Sequence, residues 1–301
     1  MLGFLFPGQG TVRVGMGAWL RRRAVARERL DLVDVLLARP ISPLCARGPM
    51  ERLVATEHAQ VAVTACNLAA LAVLEEEGYE AAVVAGHSVG ELSALHAAGV
   101  LDLAQTVRLV ETRSRLMAEV GVTGGMRAVM GLPVARVEEL AEAASAPGEP
   151  VVVGLENAPG HVVVSGALPA LDRLTELATD ASKIVPLRVG NAFHSPLMAA
   201  AVPGWAEAVR AAPMREPRVP VVPNVTGEPT TDLGLLREAL IAQLTGRVLW
   251  TRTVAAIEGS VPGVEVGDSK VLTGLSRRAE ARCLSMADPT TLRRLARGVA
   301  A

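Results

Sequence analysis

A short apolar run that ends in a serine flanked by glycines constrains the fold of this chain most. The run Ala81–Ala85 is typical of a buried strand, and the pentapeptide GHSVG at residues 86–90 follows it directly. The next residues, Glu91–Ala98, have the pattern of a helix. A serine at a tight strand-to-helix turn projects its Oγ atom, and the free N–H groups of the helix N-terminus can hold an oxyanion. We therefore predict an α/β fold with Ser88 as a nucleophile; the alternative is a glycine-rich turn with an incidental serine.

The core has to be built from small aliphatic side chains. Of the 301 residues, 50% are hydrophobic but only 2% are aromatic. A chain of this length can bury most of its apolar surface without disulfides or metals. Ala, Val and Leu side chains suit helices packed on both faces of a buried parallel sheet. This composition favours a hydrolase-like body with a parallel sheet flanked by helices.

The middle of the chain has a different order of elements. Residues 124–189 have the pattern strand, helix, strand, strand, helix, strand, which is typical of the split βαβ or ferredoxin-like arrangement. We therefore expect a small ferredoxin-like (βαββαβ) subdomain at 124–189, inserted into a large α/β body formed by residues 1–123 and 190–301. Within the body, Ser195–Ala212 is expected to be one helix, and the chain from Leu272 onward is expected to be mostly helical.

The charge balance argues against a nucleic-acid-binding protein. The chain has 30 basic and 31 acidic residues, which gives a formal net charge of −1. There is no overall positive field to attract phosphates, and there are few aromatic side chains on which bases could stack. The His, Cys and Asp residues do not cluster at the spacing of metal ligands, so no bound metal is expected.

The cysteines and the apolar segments predict a cytoplasmic protein. Cys45, Cys66 and Cys283 are odd in number and widely spaced, which is typical of reduced thiols rather than of a disulfide framework. The N-terminal segment Met1–Phe6 lacks the basic start and the cleavage site of a signal peptide. The uncharged stretch Ala59–Leu74 is shorter than the roughly 20 residues of a membrane span, so no membrane partner is expected.

A serine nucleophile needs a general base, and the sequence offers five histidines. His194 is well placed, because it follows the last predicted strand of the small subdomain and so lies at the crevice between the two units. His87 is adjacent to Ser88, and neighbouring side chains on a tight turn diverge. No Asp or Glu stands out as a group that orients the base, and a backbone carbonyl that accepts the Nδ1 proton could replace one.

Five motifs, taken together and in this order, resemble those of a known family. They are FPGQG at residues 6–10, GHSVGE at 86–91, ETR at 111–113, NAFHS at 191–195, and VG at 266–267 before KVLTGL at 270–275. The chain resembles the malonyl-CoA:acyl-carrier-protein transacylases and the acyltransferase domains of polyketide synthases over roughly residues 2–285. It departs from the family pattern where Asp268 and Ser269 replace the last two residues of the usual Gly-Pro-Gly.

The resemblance implies a two-step acyl shuttle. Ser88 would attack the thioester of an acyl-CoA, with malonyl-CoA as the expected donor and His194 as the general base. The acyl group would then pass to the phosphopantetheine thiol of an acyl carrier protein. CoA is a substrate in this scheme, so no bound cofactor is implied. The family pattern also assigns the oxyanion hole to the N–H groups of Gln9 and Val89, and the carbonyl that orients the histidine to the position of Leu249.

The resemblance also implies how the acyl group is selected. Arg113 matches the arginine that pairs with the free carboxylate of a malonyl group, because a guanidinium can bind a carboxylate with two parallel hydrogen bonds. Phe193 matches the aromatic residue that fills the space needed by an α-methyl branch. The other positions that match the substrate pocket are Gln60, Asn157 and His87.

Several activities stay open from the sequence. One alternative is a trans-acting acyltransferase for another acyl group, a carrier-to-carrier shuttle or a malonate decarboxylase subunit. Another is a serine thioesterase or proofreading hydrolase, in which water replaces the carrier thiol. A non-catalytic docking module would not need an intact Ser88 and His194. An acidic carrier protein is expected to dock on basic residues, and the candidates are Arg277, Arg278, Arg293, Arg294 and Arg297.

Overall fold

The computed structural model describes residues 1–37, 39–121 and 123–298, and its strands form two sheets within those ranges. The strands of the larger sheet are β1 (Leu2–Phe6), β2 (Ala81–Gly86), β7 (Val221–Val222), β8 (Gly263–Glu265) and β9 (Cys283–Ser285). The strands of the smaller sheet are β3 (Gly125–Met130), β4 (Val151–Ala158), β5 (His161–Gly166) and β6 (Lys183–Pro186).

The larger sheet is parallel throughout, with the strand order β7-β2-β1-β8-β9. Its central strand β1 is buried along its whole length. The core combines strand residues such as Phe4 and Val84 with helix residues such as Leu71 and Ile257. Burial of a parallel sheet between helices is what the Ala-, Val- and Leu-rich composition favours, and the predicted α/β body is confirmed.

The smaller sheet is antiparallel, with the order β4-β5-β3-β6. Two helices, α7 (Val134–Ala144) and α8 (Leu168–Leu177), pack against it and close a separate core around residues such as Val129 and Leu140. The βαββαβ order of the prediction is confirmed. The division of the chain at residues 123/124 and 189/190 stays a prediction, and residues 299–301 of the predicted body lie outside the described ranges.

The remaining helices surround the larger sheet. They are α1 (Ala24–Leu36), α2 (Ser42–Arg47), α3 (Met50–Leu53), α4 (Thr56–Glu76), α5 (Gly90–Ala97), α6 (Leu103–Ala118), α9 (Val202–Ala211), α10 (Leu233–Ala242), α11 (Trp250–Glu258), α12 (Val271–Arg278) and α13 (Thr291–Ala296). Short 3-10 helices occur at Gln9–Thr11, Leu20–Arg22 and Pro196–Ala201. By length and composition α4 could cross a membrane, but 94% of its apolar window is buried inside the fold, as in a core helix.

Of two expectations about the second half of the body, one is wrong and the other is incomplete. The segment Ser195–Ala212 is not one helix, because a 3-10 helix precedes α9. Pro203 sits in the first turn of α9, where its missing N–H group and its ring prevent an α-helix from continuing through it. The expectation that the chain from Leu272 onward is mostly helical misses Cys283–Ser285, which lies between α12 and α13 and pairs in parallel with β8 as a fifth strand.

The parallel sheet determines where polar loops meet. The carboxyl ends of its strands lie at one edge, and this edge is where open α/β sheets bind their ligands. Gln9 follows β1, Ser88 follows β2 and Asn224 follows β7. Asp268 follows β8, the strand next to β1. Four segments that are far apart in sequence are therefore brought to one edge of the fold.

Candidate active site

Ser88 occupies a strained turn between β2 and α5. Its φ angle is 53°, in the left-handed region that residues other than glycine seldom adopt. Glycine is required at positions 86 and 90, because a Cβ atom would not fit there. A Cβ atom on Gly86 would lie 2.0 Å from the Gly90 carbonyl, and one on Gly90 would lie 2.2 Å from the Phe6 carbonyl oxygen. The close approach of these backbones projects the serine side chain out of the turn.

His194 lies against Ser88. The Oγ atom of Ser88 and the Nε2 atom of His194 are 2.7 Å apart, although the two residues are separated by 106 positions in the chain. His194 also has a positive φ angle, 58°, in the loop between β6 and the Pro196–Ala201 helix. The ring is only 2% exposed. The serine and histidine singled out in the sequence are therefore in hydrogen-bonding contact.

Two backbone carbonyls orient the histidine. The Nδ1 atom of His194 lies 2.9 Å from the Gln243 carbonyl oxygen and 3.2 Å from that of Gly246. Carbonyl oxygens only accept, so Nδ1 carries the ring proton and donates it to them. This choice of tautomer leaves Nε2 unprotonated, with its lone pair toward the Ser88 hydroxyl. The ring is thus set to accept the proton of Ser88.

The expectation that the Leu249 carbonyl orients His194 is wrong. That carbonyl accepts hydrogen bonds from the N–H and the Oγ1 hydroxyl of Thr253 in the first turn of α11, at 3.1 and 3.2 Å. A carbonyl that begins a helix is committed to the residue four positions later. The carbonyls that reach the imidazole lie three and six residues earlier, in the connection between α10 and α11.

The surroundings keep the His194 ring neutral. Burial, followed by the nearby Arg113 cation and the His87 ring, lowers its pKa to about 3. Desolvation disfavours the charged form of any buried base, and a neighbouring positive charge adds to that effect. A neutral imidazole is the form that can take a proton from serine.

Arg113 of α6 also lies next to the Ser88 Oγ atom. Its side chain is 1% exposed, and its Nη2 atom lies 3.3 Å from the Ser88 Oγ atom. Its Nη1 atom donates to Gln60 Oε1 at 2.6 Å. Its Nε atom is buried with no hydrogen-bond partner among the described residues. Burial lowers the pKa of Arg113 to about 10, so the group stays a cation at neutral pH. Arg113 and Gln60 are brought together as the sequence led us to expect.

Gln243 joins the parts of the site, and the sequence analysis missed it. Besides offering its carbonyl to His194, it accepts from Arg113 Nη2 on Oε1 at 2.8 Å. Its Nε2 atom donates to the Ser88 carbonyl at 3.1 Å and to Glu91 Oε2 at 2.8 Å. One buried amide thus contacts the nucleophile, the base and the cation. The only signal for it in the sequence was a polar residue on an apolar helix face.

Asn224 forms hydrogen bonds to the serine turn, and Glu91 forms one to Asn224. The sequence analysis did not predict either residue. The Ser88 N–H donates to Asn224 Oδ1 at 2.7 Å, and the Asn224 amide donates to the Gly86 carbonyl at 2.6 Å. Glu91, which is 1% exposed, accepts from the Asn224 N–H at 2.9 Å on Oε2. Burial raises the pKa of Glu91 to about 7. The position of Asn224 just after β7 was the available signal, because it lies at the same sheet edge as Ser88.

His87 and Asn157 are paired with each other beside the turn. The His87 Nε2 atom lies 2.8 Å from Asn157 Oδ1, so Nε2 carries a proton and donates it. The edge of the His87 ring meets Trp250, with the ring centres 5.2 Å apart. The His87 side chain is therefore held by Asn157 and Trp250. Phe193 is buried in the main core next to His194.

Two backbone N–H groups near Ser88 have no hydrogen-bond partner among the described residues. The loop after β1 packs on the serine turn so closely that a Cβ atom on Gly8 would lie 2.5 Å from the His87 carbonyl oxygen. The next residue is Gln9. Neither its N–H group nor that of Val89 makes a hydrogen bond within residues 1–37, 39–121 and 123–298. Both are available to an acceptor from outside the chain. Over the same ranges no group of three or more His, Cys, Asp or Glu residues could hold a metal ion.

The geometry agrees with what the chain is similar to. A family model described as the acyl transferase domain matches residues 3–268. A malonyl CoA-acyl carrier protein transacylase from Bacillus subtilis (strain 168) is 33% identical over 300 residues, which cover 97% of this chain and 95% of that protein. The chain belongs to the malonyl-CoA:acyl-carrier-protein transacylase family. It is therefore an acyltransferase by family.

Solved structures of transacylases have the same fold over their whole length. An acyl-carrier-protein-S-malonyltransferase from Bartonella henselae matches with a TM-score of 0.94 at 34% identity, covering 100% of both chains. A malonyl-transacylase in complex with its type II polyketide-synthase acyl-carrier protein matches with a TM-score of 0.94 at 33% identity, covering 99% of both chains. The resemblance inferred from the five sequence motifs is confirmed, and so is the fold class.

Proposed function

We propose that this transacylase moves a malonyl group from CoA to the phosphopantetheine thiol of an acyl carrier protein through an ester on Ser88. One observation carries the proposal. The Oγ atom of Ser88 lies 2.7 Å from a neutral imidazole nitrogen and 3.3 Å from a buried guanidinium nitrogen. The imidazole suits acyl transfer, and the guanidinium suits an acyl group that ends in a carboxylate.

The first step forms the acyl enzyme. His194 Nε2 takes the Ser88 proton as Oγ attacks the thioester carbonyl. The Gln243 and Gly246 carbonyls stabilise the imidazolium that results, since both accept from Nδ1. As the tetrahedral intermediate collapses, the C–S bond breaks and the CoA thiolate takes the proton from His194. An ester on Ser88 remains.

The negative oxygen of the intermediate needs donors. We assign this role to the N–H groups of Gln9 and Val89, because both lie next to the serine turn and neither has a partner within the described ranges. Val89 adds the field of the α5 N-terminus. Preorganised donors of this kind are worth about 10²–10³ in kcat for each one.

The second step reverses the first with a different thiol. The thiol at the end of the carrier's phosphopantetheine arm gives its proton to His194, and the thiolate attacks the Ser88 ester. The new C–S bond forms, the C–O bond breaks, and Ser88 Oγ takes the proton back. Both steps use side chains of this protein and the thioester itself, so the proposed reaction needs no bound cofactor.

Selection of malonyl would come from Arg113 and Phe193. The free Nε–H of Arg113 leaves a buried donor for a carboxylate, and Gln60 holds the guanidinium in place. Phe193 is buried beside the base, where it limits room for a branch on the acyl group. We assign His87 and Asn157 to the wall of the same pocket, since their mutual hydrogen bond fixes both side chains next to the turn.

The carrier protein and the compartment follow from charge and chemistry. Arg277 and Arg278 are exposed at the end of α12, and Arg293 and Arg297 are exposed near the end of the described chain. These residues can attract an acidic carrier. Charge reversal at Arg277 and Arg278 is expected to raise KM for the carrier and to leave KM for the CoA donor unchanged. We propose the cytoplasm as the compartment, supported by the free cysteines and the use of CoA.

Intact mass measurement tests the proposed function. The protein is incubated with acetyl-, malonyl-, methylmalonyl- and succinyl-CoA, and the adduct is then discharged with a holo acyl carrier protein or with water. Ser88→Ala is the test variant, and Ser93→Ala, a buried serine on the helix that follows Ser88, is the matched control. We expect a malonyl adduct in the wild type and in the control, none in Ser88→Ala, and faster discharge by carrier than by water.

Two outcomes would contradict the proposal. An adduct that persists in Ser88→Ala would remove the nucleophile assignment. Discharge by water at a higher rate than by any carrier would favour the thioesterase alternative. The relatives described above are named malonyl transferases, so neither the thioesterase nor an altered acyl specificity is favoured.

A further inference from the structure

Asp268 binds the loop that carries Gln9 from the neighbouring strand end. Its carboxylate, on a residue that is 4% exposed, accepts from the Gly17 N–H on Oδ2 at 2.7 Å and from Trp19 Nε1 on Oδ1 at 3.1 Å. Arg13 Nη2 lies 2.9 Å from Oδ1, and Arg13 Nη1 donates to the Asp268 carbonyl at 2.8 Å. Three residues of one loop therefore form hydrogen bonds or an ion pair with a single buried aspartate.

The preceding glycine holds the other end of the same loop. A Cβ atom on Gly267 would lie 2.9 Å from the Pro7 ring and 2.5 Å from Asn67 Oδ1. The Asn67 amide donates in turn to the Pro7 carbonyl at 3.0 Å. The segment after β8 thus touches the loop two residues before Gln9 and again from Arg13 onward. We call residues 267–269 the platform. The platform can position the loop only if it is itself anchored.

The platform is tied to the parallel sheet. Ser285 at the end of β9 donates its hydroxyl to the Ser269 carbonyl at 2.5 Å, and the Ser269 hydroxyl accepts from the Val271 N–H at 3.0 Å. β8 and β9 pair in parallel just below these contacts. Asp268 is therefore connected to the sheet through its neighbour Ser269.

The loop and the segment after β8 meet at an open surface pocket. This pocket, of about 390 Å³, is lined by Gly10, Thr11 and Val12 together with Ser269, Lys270 and Val271. Atoms that line an open pocket have no packing partner on that side, so directional polar bonds contribute more to the position of the loop there. The carboxylate of Asp268, which borders the pocket, provides those bonds.

We propose that Asp268 is a positioning residue that holds the Gln9 N–H group in the geometry required for the oxyanion, an inference that rests on the proposed role of Gln9. Asp268 makes no hydrogen bond to Ser88 or His194 within the described ranges, so it acts only through the loop. An amide at this position can accept with one atom only, and its NH₂ group would face the donors of Gly17, Trp19 or Arg13. Asp268→Asn should therefore release the loop.

The test is the rate at which a fluorophosphonate probe labels Ser88. This reaction needs the serine, the base and the oxyanion donors, but neither malonyl-CoA nor a carrier. We expect Asp268→Asn to slow labelling about 10- to 100-fold, because a displaced oxyanion donor loses much of the 10²–10³ that one donor supplies. The probe concentration that gives half-maximal rate should hardly change. Hydrogen exchange of the amides of residues 9–19 should become faster.

Asp34→Asn is the matched control. Asp34 also caps a loop, accepting from the N–H groups of Ile41 and Ser42 at 2.7 and 3.0 Å, and none of its hydrogen bonds among the described residues reaches the Gln9 loop. We expect this variant to lose thermal stability and to keep the labelling rate. Trp19→Phe, which deletes one donor to Asp268, gives a milder second variant, and its labelling rate should fall between those of the wild type and Asp268→Asn.

Three results would overturn the inference. One is wild-type labelling by folded Asp268→Asn. Another is wild-type labelling by Trp19→Phe when Asp268→Asn does not fold. The third is an equal loss of labelling in Asp34→Asn at an equal loss of Tm. Failure of the proposed function gives a different pattern. In that case the wild type is labelled at Ser88 but takes no malonyl group from CoA. The labelling rates of the variants would still show whether Asp268 positions the loop.

Discussion

His194 directs its Nδ1 atom at the backbone carbonyl of Gln243, 2.9 Å away. The side chain of the same glutamine holds Arg113 Nη2 at 2.8 Å. The base and the carboxylate-binding cation are thus positioned by one residue, the base through its backbone and the cation through its amide. A change in the amide can therefore separate the two functions.

Gln243→Ala should damage malonyl selection more than the base. The carbonyl that orients His194 remains, whereas Arg113, Glu91 and the Ser88 carbonyl each lose a hydrogen-bond partner. Leaving buried polar groups unpaired costs about 1–3 kcal/mol each, so we expect the free energy of unfolding to fall by at least that much. Acylation of Ser88 by malonyl-CoA should fall at least about tenfold, following from the same energies, and fluorophosphonate labelling should fall less.

The comparison of the two rates decides that prediction. Rapid quench and intact mass give the acylation rate, and a half-exposed glutamine of α6, changed as Gln105→Ala, controls for loss of a glutamine side chain. If both rates fell equally in Gln243→Ala, the side chain would be needed to orient the base itself, and the separation described above would be wrong.

The rate of acylation should not show the usual fall near pH 6.5 that protonation of a catalytic histidine causes. Burial and the Arg113 cation lower the pKa of His194 to about 3, so the neutral, proton-accepting ring persists far below the ordinary value of 6.5. The single-turnover rate of acylation by malonyl-CoA should therefore be nearly flat between pH 8 and about 5. A fall with a midpoint near 6.5 that belongs to the free enzyme would contradict the lowered pKa.

The sequence was informative where the chemistry depends on local backbone. Ser88 was predictable because a strand, two glycines and a helix together enforce its turn, and His194 because it follows the last strand of the small subdomain. Arg113 gave no local signal, since Arg108 and Arg115 lie on the same helix, and only the family resemblance pointed to it.

The rest of the site depends on tertiary structure. Asn224 and Gln243 reach Ser88 across 136 and 155 residues, at an edge that only the strand order β7-β2-β1 brings together. The misassignment of Leu249 has the same origin. Which carbonyl reaches the imidazole depends on where α11 begins, and the sequence pattern does not fix that boundary to within one turn.

Arg113→Ala should abolish the preference for malonyl-CoA over acetyl-CoA. The substitution removes Nη1, which donates to Gln60, and Nη2, which faces Ser88 and Gln243. It also removes the buried Nε–H, which has no partner among the described residues. Each charge-assisted hydrogen bond to a carboxylate is worth about 1.5–3 kcal/mol, so loss of the pair should slow malonyl transfer about 100-fold or more. Transfer from acetyl-CoA, which has no carboxylate, should change little.

Arg115→Ala is the control for that measurement, because Arg115 is on the same helix but exposed and paired with Glu119. Competition between malonyl- and acetyl-CoA, read by intact mass, gives the selectivity directly. Equal losses for the two donors in Arg113→Ala would mean that the arginine supports the site as a whole and does not read the carboxylate.

Glu91→Gln should change how stability depends on pH. Burial raises the pKa of Glu91 from 4.5 to about 7 in the folded protein. Between these values the folded state holds a proton that the unfolded state has released, so this group makes stability fall as pH rises through the window. A difference of this size corresponds to about 3 kcal/mol. Both hydrogen bonds to Glu91 end on Oε2, so the oxygen of a glutamine can accept them and only the charge is lost. Urea unfolding of both proteins should give similar stabilities near pH 4.5 and a variant that is more stable at pH 8. A stability difference that is the same at every pH would mean that the pKa of Glu91 is not raised in the folded protein.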